Sequence, residues 1–294
     1  MLRSPLLTCR LLMAAVSLLV LAARAEPDIF ATYSNRVVRF ENGGVLAGWT
    51  GANQKSKVTE ATGEDHGGNG RSLLCLMNRH ETDTSHGGCH AEVHLSRFAD
   101  GTPLGFSPQF TVFTSHWVKF DTNCAALDVG FWQLKNHEGP QQWRYLAALW
   151  REARGGGDEI IFEVNPAGPD YNIYARLSRD GVPLLAPGRW NHVEVAGCYT
   201  TNATGWVQVR INGKLVTWYA DRAGRQRIGT VWRGAALPDL AGAGWQFQVG
   251  GYGFFHRPGV EQGKVWVDDI RVETLAGPPA RPSASTTRLA VGGH

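Results

Sequence analysis

The sequence has little that would form helices. Glycine is frequent, at 36 of 294 residues, turn dipeptides recur, and few windows place apolar residues three and four apart, so neither a helical bundle nor an α/β fold is expected. After residue 22 nothing approaches about 18 uninterrupted apolar residues, and no membrane anchor follows. Basic residues are scattered and the net charge is only +3, which gives nucleic acid no electrostatic footprint; mild basicity is compatible with an acidic substrate. No two cysteines have CxxC spacing, so zinc lacks its usual ligand pattern. No metal site is assigned.

At the start, Arg3 and Arg10 flank an apolar run over 11–22 that ends in Ala23-Arg24-Ala25, the pattern of a secretory signal peptide. Residues 1–25 are therefore expected to be removed and the mature protein to be secreted. Cys9 leaves with them, and the even set Cys75, Cys89, Cys124 and Cys198 predicts two disulfides. Of the three connectivities, Cys75 with Cys89 is favoured, since both lie in strand-like segments joined by a polar, glycine-containing stretch; Cys124 is then left for Cys198. Asn202-Ala203-Thr204 is a glycosylation sequon if the source is eukaryotic. Residues 26–275 suit one domain, expected to be monomeric, and 276–294 a flexible tail rich in Pro, Ser and Thr.

Strand patterns recur along the chain. They fall over 37–40, 72–77, 90–95, 110–120, 130–137, 143–150, 159–164, 171–177, 188–195, 205–216, 245–249 and 264–272, with a loop over 63–70 and a tight type I′ turn at Asn212-Gly213. Such a series without helical crossovers predicts an all-β antiparallel β-sandwich of jelly-roll type. Two strands carry polar ladders. In 130–137, Trp132 and Leu134 point to one face and Gln133, Lys135 and His137 to the other; in 90–95, Ala91, Val93 and Leu95 face the core while His90, Glu92 and His94 face away. An ordinary solvated sheet face gives the same alternation.

The stretch Gly188-Arg189-Trp190-Asn191-His192-Val193-Glu194, then Gly205-Trp206-Val207-Gln208-Val209-Arg210-Ile211-Asn212-Gly213-Lys214, and the closing Val265-Trp266-Val267-Asp268-Asp269-Ile270-Arg271-Val272 resemble the strand motifs of concanavalin A-like jelly rolls. These motifs specify a fold better than an activity. Within that group, His90-x-Glu92-x-His94 and Gln133-x-Lys135 resemble the R-x-E-(L/V) and Q-x-(H/K) strands of secreted lyases that cleave alginate, glucuronan or heparin. His90 departs from the pattern by replacing Arg, and Arg144 and Arg176 are the candidates to substitute for it. The E-x-D-x-x-E signature of retaining glucanases is absent: Asp158-Glu159-Ile160-Ile161-Phe162-Glu163 has the wrong order.

The resemblance implies β-elimination on an acidic, uronic-acid-containing polysaccharide. That chemistry needs a group to neutralise the carboxylate, a base and an acid. Gln133 and Lys135 rank first for it, then His94, His90 and Tyr174; Glu92, Arg144, Arg176, His137, Tyr145 and Tyr252 are the substrate-binding candidates, with Tyr145 and Tyr252 as alternative acids. Trp143, Trp206 and Trp266 are candidates for stacking on sugar rings, though core and rim positions suit tryptophan equally. No cofactor is required; Asp65 and Asp268-Asp269 are the acids a structural calcium would use, and solvated turns use the same residues. The alternative function is a non-catalytic carbohydrate-binding or lectin-like module, which needs only stacking and hydrogen bonds.

Overall fold

The computed structural model describes residues 52–276, apart from 54–57, 69, 81–88, 96–108, 137–144, 153–158, 165–172, 178–184, 201–204, 220–226, 230 and 234–244. The expected signal peptide, the strand over 37–40, His137, Trp143, Arg144, Asn202 and residues 277–294 of the tail lie outside the described residues.

The strands are β1 (Ala52–Asn53), β2 (Val58–Thr62), β3 (Arg71–Asn78), β4 (Cys89–Leu95), β5 (Gln109–Phe120) and β6 (Leu127–Asn136). They continue with β7 (Tyr145–Glu152), β8 (Glu159–Val164), β9 (Ile173–Leu177), β10 (Trp190–Thr200), β11 (Trp206–Ile211) and β12 (Lys214–Leu215). The last five are β13 (Trp218–Tyr219), β14 (Arg227–Gly229), β15 (Val231–Arg233), β16 (Trp245–Phe255) and β17 (Gln262–Ala276). One sheet has nine strands in the order β1-β4-β16-β6-β7-β8-β9-β13-β14; the other has eight, β12-β11-β10-β5-β17-β3-β2, with β15 also on β11. The expected all-β jelly-roll sandwich is what forms.

Alternation builds the core. On β3, Leu73, Cys75 and Met77 are buried against Val118, Phe120, Val265 and Val267, and the other sheet contributes Ala91, Val93, Trp132, Leu134, Leu149, Phe247 and Val249. A cross-core hydrogen bond joins the sheets: Trp132 Nε1 on β6 donates to Thr114 Oγ1 on β5 at 2.8 Å. A 3-10 turn over Thr122–Ala126 carries the chain from β5 to β6, capped by Asp121, whose Oδ1 accepts from the Cys124 N–H at 3.0 Å. Asn212 and Gly213, at φ 50° and 76°, form the expected tight turn.

Register shifts that were not expected occur between β6 and β16, β6 and β7, β5 and β17, and β13 and β14, and the first of them lies at the centre of the nine-stranded sheet. Val249 pairs with Trp132 and Tyr252 with Gly130, so Gly250 and Gly251 on β16 stand opposite Phe131 alone. On the other side Gly130 pairs with Trp150 and Trp132 with Leu149, which makes Phe131 the extra residue against β7, and with this break in alternation Phe131 and Trp132 both enter the core. Gly250 sits at φ 137°, and a Cβ there would lie 2.5 Å from the Ala91 carbonyl oxygen.

The two expected disulfides are not formed: Cys75, Cys89, Cys124 and Cys198 are all buried thiols. Cys198 pairs with Thr111 near one end of β5, whereas Cys124 follows Phe120 at the other. Nine residues at about 3.3 Å each separate the two by roughly 30 Å, far beyond the reach of a disulfide. Cys89 Sγ instead donates to the Asn78 carbonyl at 2.7 Å, and Cys124 Sγ to that of Lys264 at 3.4 Å.

Candidate functional site

On the nine-stranded sheet, the residues that alternate with the core residues form a second layer. Its centre comes from the adjacent strands β4, β16 and β6. His94, Gln248 and Gln133 stand in one cross-strand row, and His90, Tyr252 and Gly130 in another; Gln246 pairs with Lys135. The structure thus brings together six of the predicted residues, His90, Glu92, His94, Gln133, Lys135 and Tyr252. Glu92 faces Gly250, which has no side chain on this face, and its Oε1 accepts from Gln133 Nε2 on the strand beyond. His90 Nδ1 lies 3.7 Å from Glu92 Oε2, and the His90 ring is 4.1 Å from that of Tyr252.

This layer is not a solvated face. None of His90, Glu92, His94, Gln133, Lys135, Gln248 or Tyr252 is more than 8% exposed. Burial pushes the Glu92 carboxyl up to about 7, against the opposing pull of the Lys135 charge and the Gln133 hydrogen bond. Behind the bulge, burial and then the Glu92 charge push the Cys75 thiol upward, so this cysteine is no nucleophile. Gln133 Oε1 has no hydrogen-bond partner among the described residues. A buried amide oxygen left so is what a ligand or water would satisfy.

Next to the polar centre the layer turns apolar. Ala148, Trp150, Ile161 and Tyr252 cluster with Phe254, and Trp150 packs over Gly130, where a Cβ would meet its ring at 3.2 Å. Aromatic surface beside hydrogen-bonding groups suits a sugar ring, whose faces are apolar and whose rim is polar.

Of the remaining predicted residues, only Tyr145 among those described is on a strand that borders this centre. The backbone of Tyr174 pairs with that of Glu163, and Arg176 with Ile161, which puts β9 three strands from β6, about 14 Å along the sheet. Tyr145 pairs with Lys135. Trp206 and Trp266 belong to the eight-stranded sheet. Of the acids considered for calcium, Asp65 Oδ2 accepts from the Gly70 N–H at 2.8 Å and Asp268 accepts from the N–H groups of His66 and Asp269 at 2.8 Å each. No group of three or more potential metal ligands occurs among the described residues. No helix among them is long and apolar enough to cross a membrane.

Sequence reasoning missed Gln246 and Gln248. Their signal was present as Trp245-Gln246-Phe247-Gln248-Val249, a third polar ladder of period two. Only the pairing of β16 between β4 and β6 shows that it completes the other two.

No protein-family model matches the chain, and no curated protein does. Solved structures do match. The endo-β-1,4-glucuronan lyase of the fungus Trichoderma reesei superposes with a TM-score of 0.58 at 14% identity, over 80% of this chain and 95% of that one. A family 7 alginate lyase, A1-II′, in complex with substrate gives 0.50 at 9% identity, over 78% of this chain and 85% of that one. In fold, the chain resembles polysaccharide lyases of the β-jelly-roll type.

Proposed function

We propose that this protein is a secreted polysaccharide lyase that cleaves a uronic-acid-containing polymer by β-elimination. The observation that carries this reading is the buried layer on β4, β16 and β6, where an amide, an ammonium, two imidazoles and a phenol converge beside an aromatic patch. Each has a task in the reaction. Gln133 and Lys135 hold the substrate carboxylate and stabilise the enolate-like charge that develops on it. His94 or His90 removes the proton from the carbon beside the carboxylate. The electron pair forms a carbon–carbon double bond as the glycosidic carbon–oxygen bond breaks, and the departing oxygen takes a proton from an acid. Tyr252 suits that acid better than Tyr174, because it stands between His90 and Gly130 and Tyr174 is three strands from Gln133. The fold neighbours that act on glucuronan and alginate support the reaction class.

The experiment is to mix the mature protein with alginate, glucuronan, heparin, chondroitin and pectate and follow the ultraviolet absorbance of the unsaturated uronate end. A rise on one polymer is expected and names the substrate. No rise on any of them, with the same polymers retarding the protein in affinity electrophoresis, would replace the lyase by a carbohydrate-binding module.

A further inference from the structure

Gln133 is the amide assigned above to the substrate carboxylate, but its side chain is already held. Nε2 donates to Glu92 Oε1, and Oε1 is buried with no partner among the described residues. In this orientation the group without a partner is an acceptor. A carboxylate is also only an acceptor, so the two repel.

We propose that Glu92 sets the orientation of the Gln133 amide, and that a uronate carboxylate binds at Gln133 together with uptake of one proton by Glu92. An ionised Glu92 can only accept, and it therefore takes the Gln133 N–H. A protonated Glu92 has an O–H to donate, and the acceptor within reach is Gln133 Oε1 after a half-turn of the soft terminal torsion. That turn carries both Nε2 hydrogens to the place where Oε1 stood, and the amide becomes a donor towards the substrate. The proton comes from solvent, and the O–H bond it forms on Glu92 is the only bond made. Glu92 is thus a positioning residue, acting on substrate through Gln133.

The surroundings leave Glu92 free to switch. Lys135 on β6 favours the carboxylate, as does His90 on its own strand when protonated; His94 shares that strand face, Tyr252 on β16 pairs with His90, and Cys75 on β3 is a thiol. Burial works the other way and holds the carboxyl near 7. Above that pH, linkage predicts a dissociation constant rising by up to tenfold per pH unit for a carboxylated ligand and none for a neutral one.

This inference rests on the proposed function for its ligand, and the test separates the two. In the free protein, NMR of labelled Glu and Gln side chains should show the Gln133 amide resonances moving with the same midpoint as the Glu92 carboxyl. Gln133 resonances that stay fixed while Glu92 titrates would overturn the switch, whatever the protein binds. Calorimetry with tetraglucuronate between pH 5.5 and 8.5 should show affinity falling as pH rises, with cellotetraose, which lacks the carboxylates, as the flat control. Glu92→Gln can donate or accept at every pH and should remove the pH dependence; dependence retained in that variant would count against the proposal. If neither sugar binds at any pH, glucuronan is excluded as the ligand and the polymer panel above decides the lyase reading, while the NMR result still decides the switch.

Discussion

Single side chains hold the sandwich together at identifiable places. Trp132 is fully buried and its one N–H is satisfied across the core by Thr114. Thr114→Val keeps the shape and removes the acceptor, so the indole N–H is stranded. The expected loss is about 1–3 kcal/mol, read as a lower denaturant midpoint with unchanged slope, and Thr114→Ser should recover most of it. The cysteines make the opposite point. Even parity in an exported chain predicts disulfides, yet each of the four is a buried thiol outside any disulfide. Alkylation in denaturant without reductant should therefore modify Cys75, Cys89, Cys124 and Cys198 alike, and reductant should leave the melting temperature unchanged; a disulfide-linked peptide pair recovered by mass spectrometry would contradict the structure. Parity counts residues and says nothing of their positions along β5, which decide whether two of them can meet.

At the scale of the element, β16 carries both the site and its main irregularity. Gly250→Ala places a Cβ 2.5 Å from the Ala91 carbonyl oxygen and 2.8 Å from the Glu92 Cα, in a backbone conformation at φ 137° that side chains avoid. Neither obstacle is a flexible side chain. The expected cost is at least about 2 kcal/mol, together with misplacement of Glu92, read as a fall in both melting temperature and turnover. Tyr252→Phe removes one oxygen without disturbing the bulge, and should lower turnover by about 10²–10⁴-fold if the phenol is the acid; Tyr174→Phe should leave the rate close to that of the parent. Equal losses in the two variants would withdraw the assignment. Strand positions and faces were legible because alternation is local: the ladders His90-Glu92-His94 and Gln133-Lys135 lie where period two puts them. What stayed hidden was non-local. Tyr174 and Tyr252 look equivalent as isolated strand residues, and only strand order separates them. The bulge depends on how Gly250-Gly251 meets Phe131, a register that neither strand encodes alone.

Over the whole molecule, two buried titratable groups bias stability in opposite directions with pH. His116 is fully buried between the sheets, neither ring nitrogen has a hydrogen-bond partner among the described residues, and burial, then the charge of His192, lower its pKa from 6.5 to about 3. Between those values the unfolded chain binds a proton that the native state refuses, so stability is full above pH 6.5 and is lost as pH falls, at about 1.4 kcal/mol per pH unit. Glu92 does the reverse. Burial raises it from 4.5 to about 7, the native state holds a proton the unfolded chain has released, and its contribution is full below pH 4.5 and lost as pH rises towards 7. Between pH 5 and 6 both windows are open and these two slopes nearly cancel. Removing either group should expose the other. His116→Leu replaces an unpartnered imidazole by an apolar group of similar volume, so it should raise stability at pH 7 by about 1 kcal/mol or more. It should also lower the slope of stability against pH across that window by about 1.4 kcal/mol per unit. Glu92→Gln should increase the same slope by the same amount. Denaturant unfolding at half-unit steps from pH 5 to 6 measures all three proteins; slopes that shift in the same direction in both variants would mean that one of the two groups is not held in the charge state its burial dictates.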